Sequence, residues 1–227
     1  MRSFSVVWNS SIIQKWVMAI TGVGLVLFLL AHLAGNLLVF LGPEHMNEYG
    51  VQLRELLHGA AIWVLRLGLL VFVVLHILSG IKLAALNRRA KGNVTGRVAY
   101  KTATLASRTM IYTGLLIAAY VLYHLAHFTW GIAHCEYYHY VDHLGRHDVY
   151  RMVVESFRQP LITILYVVAM VVTGFHLNHA ISSAFQTLGI NHPRYTPLIR
   201  SVGPLLGFVL VVGFLSVPLS IIFGFVK

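Results

Sequence analysis

Five apolar stretches constrain this chain more than any other feature, each long enough to cross a hydrocarbon core of about 30 Å as a helix of roughly 20 residues. They run over 13–41, 59–86, 108–131, 160–186 and 198–225. Helices are expected, because only helices and closed barrels satisfy every backbone polar group in lipid. Composition agrees: of 227 residues, 58% are hydrophobic and only 11% charged, whereas soluble domains carry about a quarter charged residues. Punctuation falls between the stretches. Gly42–Pro43 ends the first, Gly92–Asn93 sits in the second connection, Pro160 opens the fourth, and Pro193 and Pro197 precede the fifth. No repeat at solenoid spacing and no low-complexity tract is visible. The expectation is an all-α integral membrane protein, one membrane domain over 1–227. The opening MRSFSVVWNSS shows no small-residue cleavage site and is not read as a removed signal peptide. A single cysteine, Cys135, excludes an internal disulfide framework and a cysteine-ligated cluster, and is read as bland.

The formal charge of +10 does not point to nucleic acid, because the charges lie between apolar runs and so report membrane orientation. With the N-terminus inside, eleven basic residues fall on the inner side: Arg2, Lys15, Lys82, Arg88, Arg89, Lys91, Arg97, Lys101, Arg108, Arg194 and Arg200. Six remain outside (Arg54, Arg66, Arg146, Arg151, Arg158 and Lys227), together with all seven acids, Glu44, Glu48, Glu55, Glu136, Asp142, Asp148 and Glu155. Basic residues concentrate on the cytoplasmic side, so the expected topology is N-in, C-out.

An ionisable side chain within a membrane is costly and marks function by default. One histidine lies well inside each of the first four spans: His32, His76, His124 and His176. Counted from the inner face, His32 and His124 lie roughly 16–19 residues deep and His76 and His176 about 10, which puts the two layers on the order of 10 Å apart. Each pair comes from non-consecutive helices, first with third and second with fourth. Such helices are diagonal in an up-down bundle, so two imidazoles can approach one macrocycle from opposite faces. That is the axial arrangement of haem b, and the expectation is a four-helix bundle holding two haems. The alternatives are hydrogen-bonded core histidines or another metal. Gly35, Gly80, Gly22, Gly24 and Gly114 recur on these helices, where small residues admit a flat ring or simply close helix packing. His127 and His179 follow a ligand by three residues; they are candidates for bonding haem propionates, or for replacing the neighbouring ligand. Arg108 and Lys15 are further propionate candidates, or interfacial anchors.

Four runs carry a resemblance: KWVMAITGVGLVLFLLAHLAGNL from Lys15, HILSGIKL from His76, YHLAHFT from Tyr123 and GFHLNHAISSAFQTLGINHP from Gly174. In this order they resemble the dihaem cytochrome b membrane anchor of succinate dehydrogenase and fumarate reductase, the form with one large five-helix polypeptide. The likeness spans essentially the whole chain. It implies His32 and His124 as ligands of the outer haem and His76 and His176 as ligands of the inner one. It also implies a flavoprotein that carries the succinate chemistry, an iron–sulfur subunit, a membrane quinone (menaquinone or ubiquinone) as substrate, and a bacterial cytoplasmic membrane. The inner basic surface, Asn87–Ser107, would dock the iron–sulfur subunit or attract anionic lipid. A higher oligomer of the complex stays open.

One departure bears on proton coupling. Some relatives place an acid within the helix that carries the second inner ligand; here Gly174 stands two residues before His176, and no span holds a mid-membrane carboxylate. Quinone-site candidates at the outer entrance of the second helix are Glu55 and His58, each equally readable as a solvated interfacial residue. Two rival readings stand beside this one. The first is another haem b membrane cytochrome of the hydrogenase, formate dehydrogenase or ascorbate-linked kind. The second is a haem-free transporter or structural anchor.

Overall fold

The computed structural model describes residues 8, 10–91, 105–190 and 194–227, apart from the side chains at 91, 105–108, 199 and 200. The basic stretch 92–104 lies outside these, and with it most of the expected docking surface. Eight α-helices are described: α1 Ser11–Leu37, α2 Pro43–Glu55, α3 Ala60–Lys91, α4 Leu105–Phe128, α5 Cys135–Tyr138, α6 Val149–Phe157, α7 Pro160–Thr187 and α8 Thr196–Ile222. A 3₁₀ turn, Leu38–Leu41, extends α1. Five of these helices, α1, α3, α4, α7 and α8, are long and apolar enough to span a membrane. Their outward faces are apolar: Leu27, Val64, Leu161 and Phe208 are each more than half exposed, which suits lipid and not water.

Helix ends follow local chemistry. Ser10 caps α1 by accepting from the Ile12 N–H at 3.3 Å, and Pro43 and Pro160 occupy the first turns of α2 and α7, where no amide hydrogen is needed. Two spans are shorter at their C-terminal ends than the apolar pattern suggests. α4 stops at Phe128 because the Ile132 and Ala133 N–H groups turn back to the Ala126 carbonyl, with Gly131 at φ +63. α8 stops at Ile222 in the same manner, with Gly224 at φ +77 and the Phe225 N–H on the Ser220 carbonyl. α3 departs in the other direction, continuing through Asn87, Arg88 and Arg89 to Lys91.

The helices α1, α3, α4 and α7 form a ring in which each packs on the next, so α1 and α4 are diagonal, as are α3 and α7. This is the diagonal relation expected from the spacing of the histidines. α8 lies outside the ring against α7 and α1. Glycines bring it in: a Cβ on Gly203 would sit 2.9 Å from the Asn178 carbonyl oxygen, and one on Gly213 2.7 Å from a Leu33 methyl. Gly174 takes part in the same seam, because its Cβ would meet Val211 at 2.5 Å. Position 174 therefore faces α8.

The acidic end of the bundle carries a cap that the hydropathy pattern does not reveal. Met46 of α2, Val153, Val154 and Phe157 of α6, and Ile162 and Tyr166 of α7 bury one apolar cluster with Val39, Val217 and Ile221. Asn47, 2% exposed, ties the connection before α6 onto α2: its Nδ2 donates to Asp148 at 3.0 Å, and its Oδ1 accepts from the Tyr150 N–H at 3.0 Å. Arg146 joins Asp142 at 2.7 Å with Glu44 and Glu48 of α2, both at 3.0 Å.

This cap has a pH dependence whose sign follows from its charges. Burial alone would push the Asp142 carboxyl up, but hydrogen bonds from the Arg146 side chain and from the Arg146 and Leu144 N–H groups outweigh it and hold the group to about 2. Burial, and then the charge of Arg54, push the His147 imidazole down. The unfolded chain thus binds more protons than the folded one at both groups as pH falls. Protection of amides 141–150 from hydrogen exchange should be full at neutral pH and decline in two steps. The first comes below the ordinary imidazole value of about 6.5, from His147, and the second between about 4 and 2, from Asp142. A loss of protection on raising the pH from 7 to 9 would contradict this account.

Candidate haem site

The four mid-span histidines meet as two pairs, each across one diagonal of the ring. His32 of α1 and His124 of α4 have ring centroids 5.8 Å apart with planes at 88°. His76 of α3 and His176 of α7 have centroids 6.5 Å apart with planes at 62°. Imidazole nitrogen sits about 2 Å from a transition metal, so two rings trans on one iron have centres roughly 6.3 Å apart. The observed separations bracket that value. Among the described residues no three His, Cys, Asp or Glu side chains converge as a cage for a metal ion; the donors come in twos.

The pair nearer the basic end is held in the same way on both sides. Thr21 Oγ1 donates to the Val17 carbonyl at 2.6 Å and lies 3.1 Å from His76 Nδ1. Thr113 Oγ1 lies 3.0 Å from His176 Nδ1 and 3.2 Å from the Thr109 carbonyl. A hydroxyl has one hydrogen, and with that hydrogen given to a helix carbonyl it can only accept from the imidazole. In that arrangement the proton sits on Nδ1 and the Nε2 lone pair is left free, the tautomer a metal ligand needs. The glycine after each threonine makes room for the ring: a Cβ on Gly22 or Gly114 would stand 3.3 Å from Cε1 of His76 or His176.

These contacts expose a repeat. Thr21–Gly22 precedes His32 as Thr113–Gly114 precedes His124, with the same nine residues between, and His-Leu-Ala follows in both. Each half thus offers a Thr-Gly seat to an imidazole of the next helix and a histidine of its own three turns on. That offset puts the layers about 15 Å apart at the backbone, more than the roughly 10 Å expected. α1 starts at Ser11 and α4 at Leu105, two and three residues before their apolar stretches, so His32 and His124 lie deeper from the basic end than those stretches alone suggest.

The pair nearer the acidic end is surrounded by aromatic rings. Phe28 stacks on His32 at 5.3 Å and Phe214 of α8 lies at 5.9 Å; Tyr120, Phe128 and Tyr166 surround His124. Tyr166 Oη lies 3.4 Å from His124 Nδ1 and 3.0 Å from His127 Nδ1, and His127 Nε2 lies 3.0 Å from Ser156 Oγ. His127 is 1% exposed. Both its nitrogens are taken by protein groups, so the structure places it in this network and directs neither nitrogen at a further group.

The remaining candidates are dispersed. His179 is half-buried on α7 one turn beyond His176, and Lys15 is exposed. The Arg108 side chain lies outside the described residues. Gly24, Gly35 and Gly80 receive protein side chains, namely Phe72, Tyr49 and Met18. Glu55 and His58 are exposed at the end of α2 and in the connection after it, where Leu57, His58 and Gly59 have φ of 52, 54 and 85. A hollow of about 420 Å³ lies beside them in sequence but draws on other residues, Leu38, Glu44, His45, Glu48, Tyr49 and Gln52. The roles of Thr21, Thr113 and Tyr166 were not foreseen from the sequence, although the Thr-Gly repeat was there to find. No protein-family model, no curated protein and no solved structure matches the chain.

Proposed function

We propose that this chain is a dihaem b membrane cytochrome, the electron-transferring anchor of a succinate dehydrogenase or fumarate reductase complex. The observation that carries the haem reading is the pairing of four histidines at iron-spanning distance, three of them with Nδ1 against a hydroxyl. His32 and His124 would hold one haem, and His76 and His176 the other. Haem supplies one-electron chemistry at a potential set by its axial ligands and their hydrogen bonds. The chain itself would supply four imidazole nitrogens, orients His76 and His176 through Thr21 and Thr113, and surrounds the other pair with aromatic rings that exclude water.

The succinate-linked assignment rests on the four motifs and their order. In this reading the basic end faces the cytoplasm and meets the iron–sulfur subunit, while the flavoprotein carries the carboxylate chemistry. The quinone would react near the acidic end, with Glu55 and His58 as proton-handling candidates. Native mass spectrometry of the gently solubilised complex tests the assignment: a flavoprotein and an iron–sulfur protein bound to this chain support it, and a different partner set moves the chain to another class of haem b cytochrome. For orientation, reporter fusions are expected to place Arg89 in the cytoplasm and Glu136 on the opposite side. Glu136 inside would reverse the assignment of inner and outer haem.

A further inference from the structure

We infer that Ser156, from the cap at the acidic end, sets the tautomer and orientation of His124 through His127 and Tyr166. The inference rests on the reading of His124 as a haem ligand, and Ser156, His127 and Tyr166 are positioning residues in it.

Each group along this chain of hydrogen bonds has a limited number of hydrogens to give. Ser156 is fully buried, and its hydroxyl hydrogen is committed to the Met152 carbonyl at 2.7 Å. Toward His127 Nε2, 3.0 Å away, the Ser156 oxygen can only accept. A neutral imidazole has one N–H, so His127 carries it on Nε2 and presents a lone pair at Nδ1. Tyr166 Oη, 3.0 Å from that lone pair, must donate to it. Its own hydrogen spent, the phenol oxygen can only accept from His124 Nδ1 at 3.4 Å. His124 is left with its proton on Nδ1 and a free lone pair on Nε2. Of the two directions in which the hydrogens can run along this chain, this one alone keeps the 2.7 Å bond from Ser156 to the Met152 carbonyl, and a change at that hydroxyl is felt at the fourth group.

The same tautomer is reached at His76 and His176 by a single threonine from an adjacent helix. At His124 it passes through three residues from three elements, α6, α4 and α7. The last link is also the longest, 3.4 Å against 3.1 and 3.0 Å. A longer bond withdraws less proton density from the imidazole, so the two haem layers are held by ligands of different basicity. The cap, which lies outside the membrane-spanning helices, thereby acts on one layer alone.

The test is a potentiometric titration of both haems in the purified complex, with retention of each haem followed by its spectrum, for wild type, Tyr166→Phe and Ser156→Ala. Tyr166→Phe keeps the ring among its aromatic neighbours and removes only the hydroxyl. It should raise the midpoint of the His32/His124 haem, because an imidazole that no longer donates from Nδ1 stabilises ferric iron less. Ser156→Ala touches neither ligand nor haem. It should let His127 turn its hydrogen toward Tyr166 and so offer His124 the wrong tautomer, lowering retention of that haem by about 10–100-fold. The His76/His176 haem should be unchanged in both. The relay is wrong if Ser156→Ala retains the His32/His124 haem with its wild-type midpoint, or if both haems shift together. Wild-type protein that binds no haem overturns the proposed function instead, and so the two failures are distinct.

Discussion

His76→Ala and His176→Ala should each abolish one haem of two and leave the other spectrally intact, and His32→Ala and His124→Ala should do the same for the second layer. The expectation follows from the separation of the layers. About 15 Å of helix divides the rings of one pair from those of the other, and each pair has its own second contacts: Thr21 and Thr113 for one, the aromatic surround and Tyr166 for the other. Removing one imidazole would take away one of the two residues proposed to hold that haem, and among the described residues no other histidine pairs with the survivor across the diagonal. The thioether of Met18 lies against Gly80, one turn from His76, and offers a sulfur ligand on that side. The His76→Ala variant is therefore best made with Met18→Leu as well. Pyridine haemochrome content per chain is the measurement, and two haems retained in any single histidine variant would remove that residue from the ligand set.

Gly203→Val should be strongly disruptive. Its Cβ would lie 2.9 Å from a main-chain oxygen, Asn178, and 3.0 Å from Ser182 Oγ. A carbonyl within a helix cannot turn aside as a side chain can. The cost is that of overpacking, typically about 1–3 kcal/mol, and it is paid by separating α8 from α7 close to His176. Gly68 of α3 provides the comparison, since a Cβ there meets nothing within 4 Å. Gly68→Ala should be neutral or stabilise by a few tenths to about 1 kcal/mol, through helix propensity. Thermal or denaturant midpoints of the solubilised protein would show the contrast. Equal effects at the two positions would mean that the α7–α8 seam is looser than described.

Much of this was legible in the sequence for a simple reason. In lipid the length and continuity of apolar runs decide secondary structure, and helical rise turns position into depth. Both diagonal histidine pairs follow from those two facts. Three things escaped. The capping helices α2 and α6 mix polar and apolar residues over short lengths, so neither reads as a span, and only contact with Val39, Tyr166 and Ile221 shows what they bury. His127 was placed on the face of His124 by its three-residue spacing, but Ser156 and Tyr166, distant in sequence, take both its nitrogens. Thr21 and Thr113 read as ordinary helix residues with hydroxyls turned to the preceding carbonyl. Their second role depends on which imidazole arrives from the neighbouring helix, and local pattern does not encode that. Position 174 illustrates the converse. A missing carboxylate is visible in the sequence, but its consequence is structural: the site faces Val211 of α8, so a side chain there would have to displace the Val211 side chain from the seam.

The central claim is that paired histidines hold two haems, and the visible spectrum of the purified wild-type chain tests it most directly. Dithionite reduction with pyridine haemochrome quantitation should give two b-type haems per polypeptide, with a Soret band and resolved reduction steps for the two layers. A preparation that is folded and membrane-inserted yet shows no Soret band would contradict the account, and would leave the imidazole pairs as packing within a haem-free bundle.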